Sequence, residues 1–409
     1  MAIDSGDTAW LLVSSALVML MTPGVALFYG GMVRRKNVVS TLMMGFAILA
    51  LVGLLWVLYG YSLGFAHDVG GFIGGLDWAG LIGVGQGPSP YAETVPHLAF
   101  MAFQGMFAII TAALITGAVV ERMKFSSLLI FSVVWTTLVY CPVAHWVWGG
   151  GWLGQLGALD FAGGTVVHVN AGVSALALAM VLGPRRGFGE RETMAAHHVP
   201  MVMLGAALLW FGWFGFNAGS ALTAGGLASS AFVATQVAAA AAAATWLLLS
   251  WVHHRPSLLG VATGAVAGLV AITPAAGFVH PIAGIPIGAV AAAVGYYCIS
   301  LRMRWGVDES LDVWAVHGMC GTWGALATGI FASSAVNAAG ADGLIFGNAM
   351  LLARQLASVA VVWAYAFGVT WVLAQVLKAT VGLRVGDDEE VVGLDISQHG
   401  ERAYGGTLT

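Results

Sequence analysis

Apolar stretches of roughly 20 residues recur from one end of this chain to the other, each long enough to cross a bilayer core of about 30 Å. The rest of the composition leaves no other use for them. Of 409 residues, 59% are hydrophobic and only 8% are charged. A soluble domain carries about 25% charged residues, so this chain cannot cover a water-facing surface. A net charge of −4 excludes a nucleic-acid binder. Cys141, Cys298 and Cys320 lie inside apolar runs and imply no disulfide framework. The expected fold class is an all-α polytopic membrane protein.

The cations count the spans. Lys and Arg concentrate on the cytoplasmic side of helical membrane proteins, and here they fall into tight groups. These are Arg34, Arg35 and Lys36; Arg122 and Lys124; Arg185, Arg186 and Arg191; Arg255; Arg302 and Arg304; and Lys378, Arg384 and Arg402. Only Arg354 stands apart. If every group is cytoplasmic, each gap between groups holds an even number of spans. Two per gap, plus one before Arg34, gives eleven transmembrane helices with the N-terminus outside and the C-terminus inside. The spans are placed near 8–31, 38–64, 97–120, 125–148, 162–183, 198–218, 227–252, 257–276, 281–301, 312–331 and 346–378. The last exceeds what a bilayer needs and should tilt or project. Residues 1–385 then form the transmembrane domain and 386–409 a cytoplasmic tail. Met1 to Thr8 offers no basic or apolar leader of its own, so no cleaved signal peptide is expected. The alanine run 238–244 suits close helix packing.

A weak internal echo joins the fifth and tenth spans. Each carries an intramembrane histidine followed four residues later by glycine, His168 with Gly172 and His317 with Gly321, and each begins near an aspartate, Asp160 or Asp312. Repeats over approximately 8–183 and 198–331 would be inverted, because five is odd, leaving the long eleventh helix outside the repeat. Inverted repeats place a transport pathway between the halves at mid-membrane.

Ionisable side chains at that depth are costly and usually face a cavity or an interior. His168 and His317 either hold helices together as buried imidazoles or line a narrow pore, where neutral rings offer donor and acceptor nitrogens. His145 reads as structural or interfacial. His197, His198, His253 and His254 sit at expected cytoplasmic boundaries and read as solvated. No metal-ligand spacing occurs, so no metal or cofactor is expected. Asp160, in GALDFAGGTVVH, should N-cap its helix and favour a cation at the outer mouth. Phe103 and Phe107 share a helix face. Trp148 ends helix four, and FGWFGFNAGSA on helix six carries Trp213, Phe216 and Ser220. Aromatic faces with one hydroxyl suit a small monovalent cation, each cation–π contact contributing about 0.5–2 kcal/mol.

Read together, the stretches DTAWLLVSSALVMLMTPGVALFYGG, AFQGMFAIITAALITGAVVERMKF, YCPVAHWVWGGGWLGQLGALDFAGGTVVHVNAG, FGWFGFNAGSA, DVWAVHGMCGTWGAL and GLDISQHGERAYG resemble the Amt/Mep/Rh ammonium transporter family, on its Amt side. The likeness covers nearly the whole chain. It implies an outer ammonium recruitment site at Phe107, Trp148 and Ser220, with Phe103 in its wall and Asp160 shaping and polarising it. It implies a gate of stacked phenyl rings, Phe107 and Phe216, and a pore with the paired histidines His168 and His317. Trp213 and Tyr140 match pore-lining positions near that gate. The resemblance also implies a homotrimer in the cell membrane, transport of ammonium and methylammonium, and no enzymatic activity. A tail that couples subunits and a cytoplasmic PII signalling protein as regulator belong to the same picture. The acidic run Asp387 to Glu390 ahead of the tail motif is a mild departure. An ammonium sensor acting through a cytoplasmic partner, and a Rh-type channel for ammonia or carbon dioxide, are the alternatives.

Overall fold

The computed structural model describes residues 2–190 and 194–405. Met1, Arg191 of the third cation group and the last four residues of the expected tail lie outside the described residues. Helices stand at every position where a span is expected: α1 (Ser5–Met32), α2 (Arg35–Phe65), α3 (His97–Ala118), α4 (125–147), α5 (Gly164–Leu182), α6 (Val199–Gly219), α7 (Gly226–His253), α8 (Leu258–Ile272), α9 (Pro281–Arg304), α10 (314–331) and α11 (Ala349–Thr380). Among the described residues, nine helices are long and apolar enough to cross a membrane; α8 is shorter. The chain is a multi-pass membrane protein.

The end of α8 has a local cause. Pro274 carries no N–H for the helix ladder, so the helix stops at Ile272 rather than at 276, although Thr273 keeps helical angles. The freed Pro274 carbonyl accepts from Phe161 N at 3.1 Å, fixing the approach to α5. α11 has 32 residues, which at 1.5 Å per residue is about 48 Å, well beyond the hydrocarbon thickness. The connection between α2 and α3 holds two small antiparallel hairpins, β1 (Asp68–Val69) with β2 (Ile73–Gly74) and β3 (Pro88–Ser89) with β4 (Ala92–Pro96). Strands this short leave no readable alternation in the sequence.

Small residues set how closely the helices approach. α1 and α6 lie backbone to backbone: a Cβ on Gly205 would sit 2.3 Å from Phe28 N and 2.7 Å from the Gly24 carbonyl. Without a hydrophobic drive between helices in lipid, such van der Waals contact is what binds them. Ala238, Ala239 and Ala242 of the alanine run are buried on the same principle.

The cation groups meet on one face. Glu121, fully buried, accepts from Arg34 N (2.6 Å), Arg34 Nε (3.0 Å), Asn37 Nδ2 (3.2 Å) and Arg185 Nη1 (3.0 Å). Arg185 also grips Asp308 at 2.8 Å, and Arg122 donates to the carbonyls of Gly183 (2.8 Å) and Asp308 (2.5 Å). Loops after α1, α3, α5 and α9 are thereby tied together. The tail closes over them as two short helices, α12 (Asp387–Val392) and α13 (Leu394–His399). Lys36 Nζ donates to the carbonyls of Glu390 (2.9 Å) and Val391 (2.6 Å), and Asp395 Oδ1 accepts from Ser40 N at 2.8 Å in the first turn of α2. Arg354, the cation outside these groups, packs against Gly157 between α4 and α5.

Two outcomes test this packing. Gly205→Val should lower stability by more than the ~1–3 kcal/mol usual for overpacking, because backbone cannot give way; a thermal melt in detergent reads it. For Glu121, burial pushes the carboxyl up, but Arg185 and Arg34 outweigh it and hold it below its ordinary value. A depressed carboxylate contributes stability above its unfolded value of about 4.3 and loses it as pH falls through the folded value. Glu121→Gln should therefore be less stable than the parent at neutral pH, with a gap that narrows below about pH 4 in melts run across that range.

Candidate functional site

α5 and α10 build the site, and both begin irregularly. Each opens with a π-helical turn, Gly164–Val169 and Trp314–Met319, then continues as α-helix. Such turns re-aim side chains and concentrate at functional positions. His168 and His317 lie within them. The glycines four residues on let the two backbones touch: a Cβ on Gly172 would lie 2.1 Å from Gly318 N, and one on Gly321 would lie 3.0 Å from the Cβ of His168. Each glycine thus receives the other helix at its histidine turn.

That contact brings the imidazoles together, Nδ1 to Nδ1 at 3.2 Å. One nitrogen carries the hydrogen and the other accepts it. The rings bond to each other and also line a cavity. His168 Nε2 is buried and has no partner. The cavity measures about 30 Å³ and is walled by Tyr29, Leu114, Trp213, Phe216, Val316 and Asp312, among others. It has room for about one water-sized molecule. The Trp213 ring stacks beside His168 at 5.4 Å, held by its Nε1 donating to Thr273 Oγ1 at 2.9 Å.

Phe216 forms the roof. It stacks on Phe107 with ring centroids 4.3 Å apart, both rings buried. Above them opens a second cavity of about 290 Å³, and Phe103, Phe107, Trp148, Asp160 and Ser220 all line it. Trp148 stands perpendicular to Phe107 at 5.8 Å, and its Nε1 donates to the Asp160 carbonyl at 2.8 Å. Ser220 Oγ donates to the Phe216 carbonyl at 2.8 Å. Its one hydrogen is thereby committed, so the hydroxyl can only accept from a visitor. Two faces of π electrons and an acceptor oxygen converge on this space, which suits a small cation with N–H donors.

Asp160 caps α5 more completely than a single N-cap bond. Oδ1 accepts from Gly163 N (2.8 Å) and Gly164 N (2.6 Å), and Oδ2 from Thr165 N (2.8 Å), Thr165 Oγ1 (2.5 Å) and Val166 N (3.2 Å). Its charge holds the turn that carries His168. Tyr140 departs from expectation. It is fully buried, lines neither cavity and packs edge-on against Trp56 at 6.1 Å. It stands at the end of the π turn Thr136–Tyr140 of α4, so the position that the resemblance implied for it is not one that walls either cavity. The echo also misplaced its second carboxylate. Asp312 pairs with Arg302 Nη2 at 2.7 Å, whereas Glu309 accepts from Trp314 N at 3.1 Å. Glu309 precedes His317 by the same eight residues that separate Asp160 from His168, a spacing visible in the sequence.

Gln104, Tyr91 and Phe161 join the outer wall; the first and last lie within the quoted stretches without being singled out, and Tyr91 lies outside them all. His145 is structural: its ring bonds the Gly64 carbonyl (3.0 Å) and Asp68 (2.8 Å). His197 is not simply solvated, because the tail reaches it through Tyr404 at 2.9 Å. Among the described residues, no three His, Cys, Asp or Glu side chains gather as a metal-holding group.

Comparison with known proteins agrees with this geometry. Residues 9–404 match the sequence model of the Ammonium Transporter Family. The chain belongs to that family. An ammonium transporter of Bacillus subtilis is 52% identical over 401 residues, covering 98% of each chain. Ammonium transporter Amt1 of Archaeoglobus fulgidus is also 52% identical, over 98% of this chain and 100% of the relative. The crystal structure of Candida albicans Mep2 superposes with a TM-score of 0.90 at 38% identity, covering 95% of this chain and 88% of that one. As a member of the ammonium transporter family, the chain has ammonium as its substrate.

Replacing Asp160 tests the cap within this transporter. Asp160→Ala strands four backbone N–H groups at a buried helix start, each worth about 1–3 kcal/mol when left unmade. The variant should melt well below the parent. Asp160→Asn, which keeps one acceptor oxygen, should fall between the two in the same melt.

Proposed function

We propose that this transporter recruits ammonium in the outer cavity, strips its charge there, and passes ammonia between Phe107 and Phe216 to the histidine pair, with the proton crossing separately so that transport is electrogenic. The observation that carries the reading is the size of the lower cavity, about 30 Å³, directly beneath two stacked phenyl rings. A hydrated ion does not fit in it. A bare one faces a desolvation cost of tens of kcal/mol, against about 0.5–2 kcal/mol for each cation–π contact. Ammonium escapes the cost by giving up a proton. Potassium and sodium cannot.

Within this reading Phe103, Phe107, Trp148 and Ser220 bind the ion, and Asp160 polarises the site through the helix start it holds. The His168 and His317 rings guide ammonia, His168 Nε2 being the nitrogen left for it. Trp213 walls the pore. We assign residues 1–385 to the transmembrane domain, with eleven crossings, the N-terminus outside and the C-terminus inside the cell membrane, and 386–409 to a regulatory tail. Clustering of the cation groups on one face supports that orientation. The unit is a homotrimer with one pore per subunit, and a PII signalling protein docks on the tail-bearing face.

Currents from liposomes on a solid-supported membrane, evoked by ammonium, methylammonium and potassium pulses, test the reading. The parent should respond to the first two and not to potassium. His168→Ala combined with His317→Ala should cut the ammonium current at least about 100-fold, the usual scale for losing positioned proton-handling groups, or pass potassium as well. Unchanged current with unchanged exclusion of potassium in the double variant would rule out the histidine role.

A further inference from the structure

The two capping carboxylates are alike in position and unlike in chemistry. Both oxygens of Asp160 are saturated by five donors. Glu309, at the matching place before His317, is buried to 0% exposure, yet only Oε2 is engaged, by Trp314 N. Oε1 is buried with no partner among the described residues. A carboxylate oxygen kept from water without a donor is expensive, and the cheapest remedy is a proton. The charged and titratable groups around it are few. Arg302 faces it from α9 but is bound to Asp312, and Asp312 faces it from its own segment. Tyr29 on α1 senses its charge. Its neighbour Asp308 is turned to Arg185 and Arg122, and the end of α3 contributes only the Ala118 carbonyl, which accepts from Ser310 N. Tyr29 and Asp312 both line the cavity beneath His317, whereas Glu309 is not itself among its wall residues and meets the pore through them.

We propose that Glu309 is the proton-accepting residue at the tail-side end of this pore, taking up the proton that crosses apart from ammonia and returning it to ammonia as it leaves. The proposal rests on the separate-proton reading above. In the first step the crossing proton, held as hydronium or on the His317 imidazole, leaves its O–H or N–H bond, water or neutral imidazole remains, and the Oε1–H bond of Glu309 forms. In the second that O–H bond breaks, an N–H bond to ammonia forms, and ammonium and the carboxylate are regenerated. Burial pushes the Glu309 carboxyl up to about 7, opposed by Arg302, reinforced by Asp312, and opposed again by the N–H groups of Trp314 and Val313. It therefore exchanges its proton near neutrality, whereas an ordinary glutamate near 4.3 would hold none there. Only the ionised form accepts, so its contribution grows as pH rises through about 7.

Glu309→Gln keeps an acceptor for Trp314 N and loses the titration. Ammonium-evoked currents of parent, Glu309→Gln and Glu309→Asp are compared in liposomes buffered from pH 6 to 8 on both sides, with folding checked by thermal melt. The expected result is a folded Gln variant with a current at least about tenfold lower, a parent-to-variant ratio that climbs with pH, and partial recovery in Glu309→Asp. Equal currents overturn the proposal. A reduced Gln current whose ratio to the parent is flat with pH overturns it too, since a cap alone behaves that way. Should Glu309→Gln not fold, Glu309→Asp decides: a displaced pH midpoint supports the relay, and a superimposable profile overturns it. A parent without ammonium current sinks the transport reading itself and this proposal with it.

Discussion

Everything central to this protein follows from one contact, in which Gly172 and Gly321 each admit the backbone of the opposite helix at its histidine turn. Side chains of any size there would push α5 and α10 apart, and the Nδ1 to Nδ1 bond of 3.2 Å would open. The contact is reciprocal: each glycine lies four residues after its own histidine and meets the turn that carries the other. Both histidines lie within π turns, whose register differs from that of an α-helix by one residue per turn of ladder.

Around that centre the charges are sorted by depth. The ion pairs of Glu121, Asp308, Arg34 and Arg185 bind four loops into one plate on the cation-rich face. Near mid-membrane the polar groups are neutral or, like Asp160, are neutralised by backbone N–H groups at a helix start. The outer cavity of about 290 Å³ and the inner one of about 30 Å³ therefore ask different things of a solute. The first offers π faces and an acceptor oxygen. The second offers two imidazoles among mostly apolar walls, with Tyr29, Thr263 and Asp312 also lining it.

Much of this was legible in the residues. Charge clustering located the helix ends, since the cost of carrying Arg into lipid acts on every such chain alike. The five outer-site residues fall in one cavity, and the histidines meet, because short motifs on helices fix local geometry. Tyr140 shows where that legibility stops. Which face a residue presents depends on the helix register, and the π turn at Thr136–Tyr140 shifts it for reasons of tertiary packing. The stop of α8 at Ile272 was readable in Pro274, given weight over hydropathy. Glu309 was hidden by proximity: Asp312 stands nearer the helix, and only the equal spacing to the two histidines separates them.

The tail carries a consequence for how the chain is made. Ser40, in the opening turn of α2, receives its capping oxygen from Asp395, which is 355 positions later. Throughout synthesis that opening turn waits with bare amides, because its partner does not yet exist. A stretch made after all eleven helices thus acts as a latch on the second of them. A polypeptide cut short before Asp395 could thread every helix and still carry an unlatched α2, which gives the cell a chemical mark by which finished and unfinished copies differ.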